Sequence, residues 1–180
     1  HSPSRRQRQM CIRDSTRTVA YILEHSDCKV FIVDRQFQKV ASEALSQVDR
    51  EIVVIDIDDR QAGLGDVPAI GKHEYENFLL TGDEEFEWLK PKDEWQAISL
   101  SYTSGTTGNP KGVVYHHRGS YLMSMGSVSA WNMPNRLTYL YTVPMFHCNG
   151  WGYPWTLAML HARVVSVSYT HLRAHETKTD

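Results

Sequence analysis

Long apolar runs, a cysteine framework and a strong charge imbalance are all missing from this sequence. No run of 18 apolar residues occurs among its 180, so no stretch reads as a membrane-crossing helix. Three cysteines, at positions 11, 28 and 148, are too few and too scattered for a disulfide scaffold. Cys28 and Cys148 instead read as reduced thiols of a cytoplasmic protein. Net charge is only −2. Residues 1–15 carry net +3 and residues 168–180 net zero, so the middle of the chain carries −5. A mildly acidic body argues against a nucleic-acid surface, and the single Arg cluster near the start has no aromatics interleaved with it. Internal repeats and low-complexity segments are absent as well.

The two ends differ from what lies between them. Residues 5–15, RRQRQMCIRDS, are basic and aperiodic, and residues 168–177, SYTHLRAHET, are equally out of character. Both resemble translated adapter sequence, so 1–15 and 168–180 are read as non-native ends. The fold is sought in residues 16–167.

That stretch has an α/β pattern. Residues 18–25 suit the end of a helix, and residues 29–34, KVFIVD, form a short apolar run typical of a buried strand. Phe37, Val40, Ala41, Ala44, Leu45 and Val48 then follow helical spacing, and residues 51–56, EIVVID, give another strand. Strand, amphipathic helix and strand with short joins predict a right-handed parallel βαβ unit. Residues 58–71 read as a connector and 75–80 as a short helix. Residues 81–94 are acidic, with Glu84, Glu85 and Glu87 on a solvated face. A strand over 97–101 and the β-branched, aromatic run 113–115 flank a loop. A helix is expected from about Ser120, with Tyr121, Leu122, Met125 and Val128 on one stripe. Downstream come a strand over 138–143, a loop over 144–150, a helix over 153–160 and one more strand from 163.

The loop carries the chemistry. Residues 102–112, YTSGTTGNPKG, hold four Ser/Thr hydroxyls, three glycines, one proline and one lysine. Small residues leave main-chain N–H groups open to a polyanion. Hydroxyls can bond phosphate oxygens or a metal held by them, and Lys111 adds a point charge. Pro110 fixes its own φ and pushes Asn109 toward extended geometry. This composition suits a nucleotide triphosphate. A Walker A loop is excluded, because Lys111 follows proline and precedes Gly112. A plain Ser/Gly linker is the ordinary alternative, but linkers seldom end in Pro-Lys-Gly between two strands.

At these residues the chain resembles the adenylate-forming superfamily of acyl-CoA synthetases, luciferases and peptide-synthetase adenylation domains. The superfamily's phosphate-loop signature, [YF]-[ST]-S-G-[ST]-T-G-x-P-K-G, is matched at every position from Tyr102 to Gly112. A second segment, residues 144–151, PMFHCNGW, looks like the next motif downstream. Its wording is closest to medium- and long-chain fatty-acid–CoA ligases, including those for methylthiopropionate. The resemblance implies parallel βαβ units with a Ser/Thr/Gly-rich phosphate loop, within an internal piece of the N-terminal region of a longer, homodimeric enzyme.

It also implies a reaction with ATP, coenzyme A and a small carboxylic acid as substrates. Thr103, Ser104, Gly105, Thr106, Thr107, Gly108 and Lys111 are then the ATP-holding residues, and Thr103 ligates Mg²⁺. His147 borders the carboxylate and orients it, with Lys111 as the other catalytic residue. A carboxylate already ionised at pH 7 needs no base. Trp151 gates the acyl tunnel, with Gly150 and Gly152 easing its movement. For His147 the ordinary reading is a histidine satisfied in a loop, and for Trp151 it is core packing beside Trp155. His116 and His117 are adjacent on an extended segment and point to opposite faces, so they lead into a helix better than they chelate zinc. Two alternatives stay open: an aryl-CoA ligase or carrier-protein-loading adenylation enzyme, and a generic nucleotide-binding or phosphotransfer module. A piece without the remaining motifs is expected to be inactive and aggregation-prone when isolated.

Overall fold

A computed structural model describes residues 16–59, 65–103, 109–143, 145 and 150–166. The two ends read as non-native, 1–15 and 168–180, lie outside these residues. The chain divides into two compact units: residues 1–89 with 100–113, and residues 90–99 with 114–180.

In the first unit, helix α1 (16–25) leads into strand β1 (Val30–Asp34), a 3₁₀ turn (Arg35–Phe37) and helix α2 (Gln38–Leu45). Strand β2 (Val53–Ile57) returns parallel to β1, with Val30 opposite Val53 and Asp34 opposite Ile57. This is the βαβ unit that the apolar spacing predicts. Val33 lines an apolar groove with Val19, Ile22 and Leu23 of α1 and Val40 and Ala41 of α2. Ala41, Ala44 and Ile55 are buried, each at most 2 % exposed. Val30 and Ile32 are about half exposed, so among the described residues only one face of β1 is covered. The continuous apolar run had read as a strand buried on both.

Helix α2 is shorter than its apolar spacing. The Ser46 hydroxyl and the Gln47 amide both donate to the Glu43 carbonyl, at 2.8 and 3.0 Å. Side chains that capture a backbone carbonyl compete with continuation of the helix, and Val48 falls beyond its end. At the other end Asp34 accepts from the Gln36 N–H, so Phe37 belongs to the 3₁₀ turn and is exposed.

The connector after β2 is tied down by one carboxylate. Asp56 is fully buried and accepts from the N–H groups of Ile70 (2.9 Å) and Gly71 (2.7 Å). Two charge-assisted bonds to backbone donors satisfy a group that is otherwise costly to bury. They bring up β3 (His73–Glu74), a two-residue strand parallel to β2 that carries no apolar signal of its own. Glu74 then caps helix α3 (Tyr75–Leu79) by accepting from Glu76 and Asn77. Gly71 passes so close to β2 that a Cβ there would lie 2.1 Å from the Val54 carbonyl oxygen.

Strands β4 (Ala97–Thr103) and β5 (Lys111–His116) pair with each other, and the boundary between the two units falls within both. In the second unit helix α4 (His117–Ala130) begins three residues before the expected start at Ser120. Its cap is His116, whose Nδ1 accepts from the Gly119 N–H at 2.9 Å while the ring packs against Trp95 at 4.8 Å. This histidine leads into a helix, as its position next to His117 suggests. The expected stripe is not the packed face: Tyr121, Leu122 and Met125 are exposed, and Ser120 and Ser124 are buried.

The reason is a close approach to helix α5 (Tyr153–Met159), which lies between strands β6 (Thr138–Tyr141) and β7 (Arg163–Ser166). The Thr156 hydroxyl donates to the carbonyls of Ser124 (3.2 Å) and Gly152 (3.3 Å). Ser124 in turn donates to Ser120 and Gly152. Small hydroxyl residues suit a contact this tight, where Leu or Met would hold the helices apart. Strands β6 and β7 pair in parallel, Tyr141 opposite Ser166, which makes a second βαβ unit.

Candidate functional site

The phosphate-loop segment is described at its two ends. Thr103 is the last residue of β4 and Lys111 the first of β5, and both are exposed. The Thr103 hydroxyl donates to the Lys111 carbonyl at 3.5 Å, so the segment leaves and rejoins the sheet at neighbouring points. A hydroxyl that donates keeps its oxygen lone pairs, and an exposed hard oxygen fits Mg²⁺. Gly112 lies under the residues that precede the loop: a Cβ there would sit 2.8 Å from Leu100 Cδ1 and 3.7 Å from Tyr102 Cε1. Ser104, Gly105, Thr106, Thr107 and Gly108 lie outside the described residues.

Tyr102 is held from a direction that sequence reasoning missed. His25, at the end of α1, places Nδ1 2.7 Å from the Tyr102 hydroxyl, and the two rings meet edge to face. Tyr21, one turn earlier, stacks on His25 at 5.1 Å and meets Tyr102 edge-on at 6.4 Å. The i, i+4 spacing of Tyr21 and His25 was the only sequence signal, and it named no partner 77 residues away.

The second segment is likewise described at its flanks, and His147 lies outside the described residues. Tyr141, nearly fully buried at the end of β6, donates its hydroxyl to the Gly150 carbonyl at 2.9 Å. One bond thus spans the segment that contains His147. Burial, with Tyr139 and Tyr153 beside it, pushes the Tyr141 phenol up to about 12. A raised acid pKa stabilises the fold fully below the unfolded value near 10, and that contribution is lost as pH rises through about 12. Tyr141→Phe should therefore flatten the alkaline fall in stability over this window. Denaturant titrations of both proteins between pH 9 and pH 12 check it. Equal slopes would mean that the phenol ionises as freely as in the unfolded chain.

Trp151 is half-buried between two rings. Tyr115 of β5 stacks on it at 4.6 Å with 23° between the planes, and Trp155 of α5 lies on it at 4.6 Å and 57°. Swinging away breaks both contacts, at a cost of about 1–3 kcal/mol. Gly152 has φ −81°, which any residue adopts. A Cβ at Gly152 would collide with the end of Met123. The atoms met are the far end of a flexible side chain, which can turn aside.

No helix among the described residues is long and apolar enough to cross a membrane. An acetate/butyrate–CoA ligase of Arabidopsis thaliana, described as peroxisomal, is 44% identical over 159 residues, covering 83% of this chain and 28% of the relative. An acetate–CoA ligase of Humulus lupulus is 45% identical over 157 residues, covering 82% and 28%. The chain therefore spans just over a quarter of the length of these relatives. The luciferase-like enzyme of the mealworm Zophobas morio superposes with a TM-score of 0.65 at 19% identity, over 85% of this chain and 34% of that one, and so shares the α/β fold. The AMP-binding enzyme model matches residues 13–179, and the chain belongs to that family of AMP-binding enzymes.

Proposed function

We propose that this chain supplies the ATP-holding loop and an acid-lining segment of an ATP-dependent acid–CoA ligase. The observation that carries the reading is the complete phosphate-loop segment, 102–112, strung between β4 and β5 with Thr103 and Lys111 at its ends. In the first half-reaction a carboxylate oxygen attacks the α-phosphorus of ATP. A P–O bond to the acid forms, the bond to the β-phosphate bridge breaks, and pyrophosphate leaves. In the second, the coenzyme A thiolate attacks the acyl carbon, a C–S bond forms and AMP departs.

Charge develops on the α-phosphoryl oxygens and on the leaving pyrophosphate. The N–H groups and hydroxyls of Ser104, Gly105, Thr106, Thr107 and Gly108, with the Lys111 ammonium, stabilise charge of that kind by position alone. Bound at Thr103, Mg²⁺ would neutralise part of the triphosphate. His147 orients the acid, and Gly150 and Trp151 line its site. The relatives' names point to short aliphatic acids, acetate and butyrate among them. We place the protein in the cytoplasm from its thiols, with the peroxisome as the alternative that the first relative raises, and read the full-length enzyme as a homodimer.

The test is product analysis with the full-length protein over acids from acetate to palmitate, with methylthiopropionate and benzoate included. AMP and pyrophosphate are expected, strictly dependent on acid. Carboxylate-dependent ADP without AMP would falsify the ligase reading and favour phosphotransfer. Benzoate as the best substrate would favour an aryl-CoA ligase.

Trp151→Ala is expected to move the preferred acid to longer chains and leave the ATP KM unchanged. Each methylene newly accommodated is worth about 0.8 kcal/mol, roughly fourfold in kcat/KM. An unchanged chain-length profile would reduce Trp151 to packing.

A further inference from the structure

We propose that His25 is a positioning residue for the phosphate loop, acting through its hydrogen bond to the Tyr102 hydroxyl. The inference rests on the ligase reading above and adds to it a residue 77 positions upstream of the loop it serves. Tyr102 is followed at once by Thr103, where β4 ends, so whatever fixes Tyr102 fixes the point from which the loop departs.

Three residues act on that point. The hydroxyl is bonded to His25 at 2.7 Å. The ring meets both His25 and Tyr21 edge-on, and it lies close to Gly112 just beyond the loop's far end. Tyr102 thus touches helix α1 on one side and the returning strand β5 on the other. Aromatic contacts set distance but only loosely set rotation about the strand axis. The hydrogen bond is the directional element.

The bond has no single polarity. The phenol donates when the imidazole carries its proton on Nε2, and Nδ1–H donates to the phenol oxygen in the other tautomer or the cation. It therefore persists whichever protonation state His25 takes. Burial, followed by the neighbouring Tyr21 phenol, raises the pKa of Tyr102, which keeps its hydroxyl protonated. His25 meets this end of the loop through Tyr102, so its effect on ATP is indirect.

A loop that holds a triphosphate gains from a fixed point of departure, because less order has to be imposed when the ligand arrives. Loss of the bond should then appear in ATP use and not in acid use. The experiment compares full-length wild type with His25→Phe, Tyr102→Phe and the double variant. His25→Phe keeps a ring and removes the nitrogen, and Tyr102→Phe keeps the ring and removes the hydroxyl. Each single variant is expected to raise the ATP KM about three- to tenfold, the worth of one net hydrogen bond. The acid KM should stay at its wild-type value, and the melting temperature should fall by no more than a few degrees. The double variant should be no worse than either single, since both remove the same bond.

His25→Asn, whose amide stands near the place of Nδ1, should recover most of the loss. An ATP KM within twofold of wild type in both Phe variants overturns the proposal. So does a parallel rise in acid and ATP KM, which is what a merely structural contact gives. Wild type that forms no AMP with any acid sinks the ligase reading itself, and this inference falls with it.

Discussion

Lys111→Ala in the full-length protein is expected to lower kcat/KM for ATP by about 10²- to 10³-fold, the scale set by removing one preorganised donor from developing charge. The side chain is exposed at the first position of β5, so no buried partner is left unsatisfied when it is shortened. Its loss should therefore leave the melting temperature nearly untouched. The acid KM should change little if, as proposed, the ammonium acts on phosphate oxygens. Lys111→Arg should recover only part of the activity, because a planar guanidinium does not place its charge where a compact ammonium does. Initial rates of pyrophosphate release at varied ATP decide the matter. A Lys111→Ala protein within threefold of wild type would remove Lys111 from the triphosphate site.

Gly71→Ala is expected to be the most damaging of the small substitutions, costing about 3 kcal/mol or more. The added methyl would meet the Val54 carbonyl oxygen at 2.1 Å and its carbon at 2.7 Å, and both are main-chain atoms of a paired strand. Relief requires the connector to move away from β2. That movement stretches the bonds by which Asp56 holds Ile70 and Gly71, leaving a buried carboxylate short of donors. Gly126→Ala is the matching control. It lies in α4 with open space where its Cβ would go, and should stabilise by about 0.5–1 kcal/mol. Urea titrations of the two variants should thus shift in opposite directions. A Gly71→Ala protein as stable as wild type would show that β2 and its connector yield more easily than a paired strand should.

The contrast between those glycines shows where sequence stops being informative. Apolar spacing was enough to place β1, α2 and β2, because each buries its own face within a local βαβ unit. The connection between β4 and β5 stood out for another reason, an unusual density of small and hydroxyl residues in one short run, and the strands on either side of it lie where the pattern put them. Strand β3 was not legible. It has two polar residues, and it exists because Asp56 captures a passing backbone. The face of α4 was misread because a helix packed through serines hides its contact among residues that look solvent-facing. His25 and Tyr141 share a different obscurity: their partners are fixed by tertiary geometry, and only the folded chain names them.

The serine- and threonine-lined contact between α4 and α5 also has a thermal consequence. Attraction between apolar surfaces weakens on cooling, whereas directional bonds among the Ser124 and Thr156 hydroxyls and nearby carbonyls do not share that dependence. The tilt of α5, and with it the ring of Trp155 against Trp151, should consequently drift less in the cold than a leucine-packed pair of helices would.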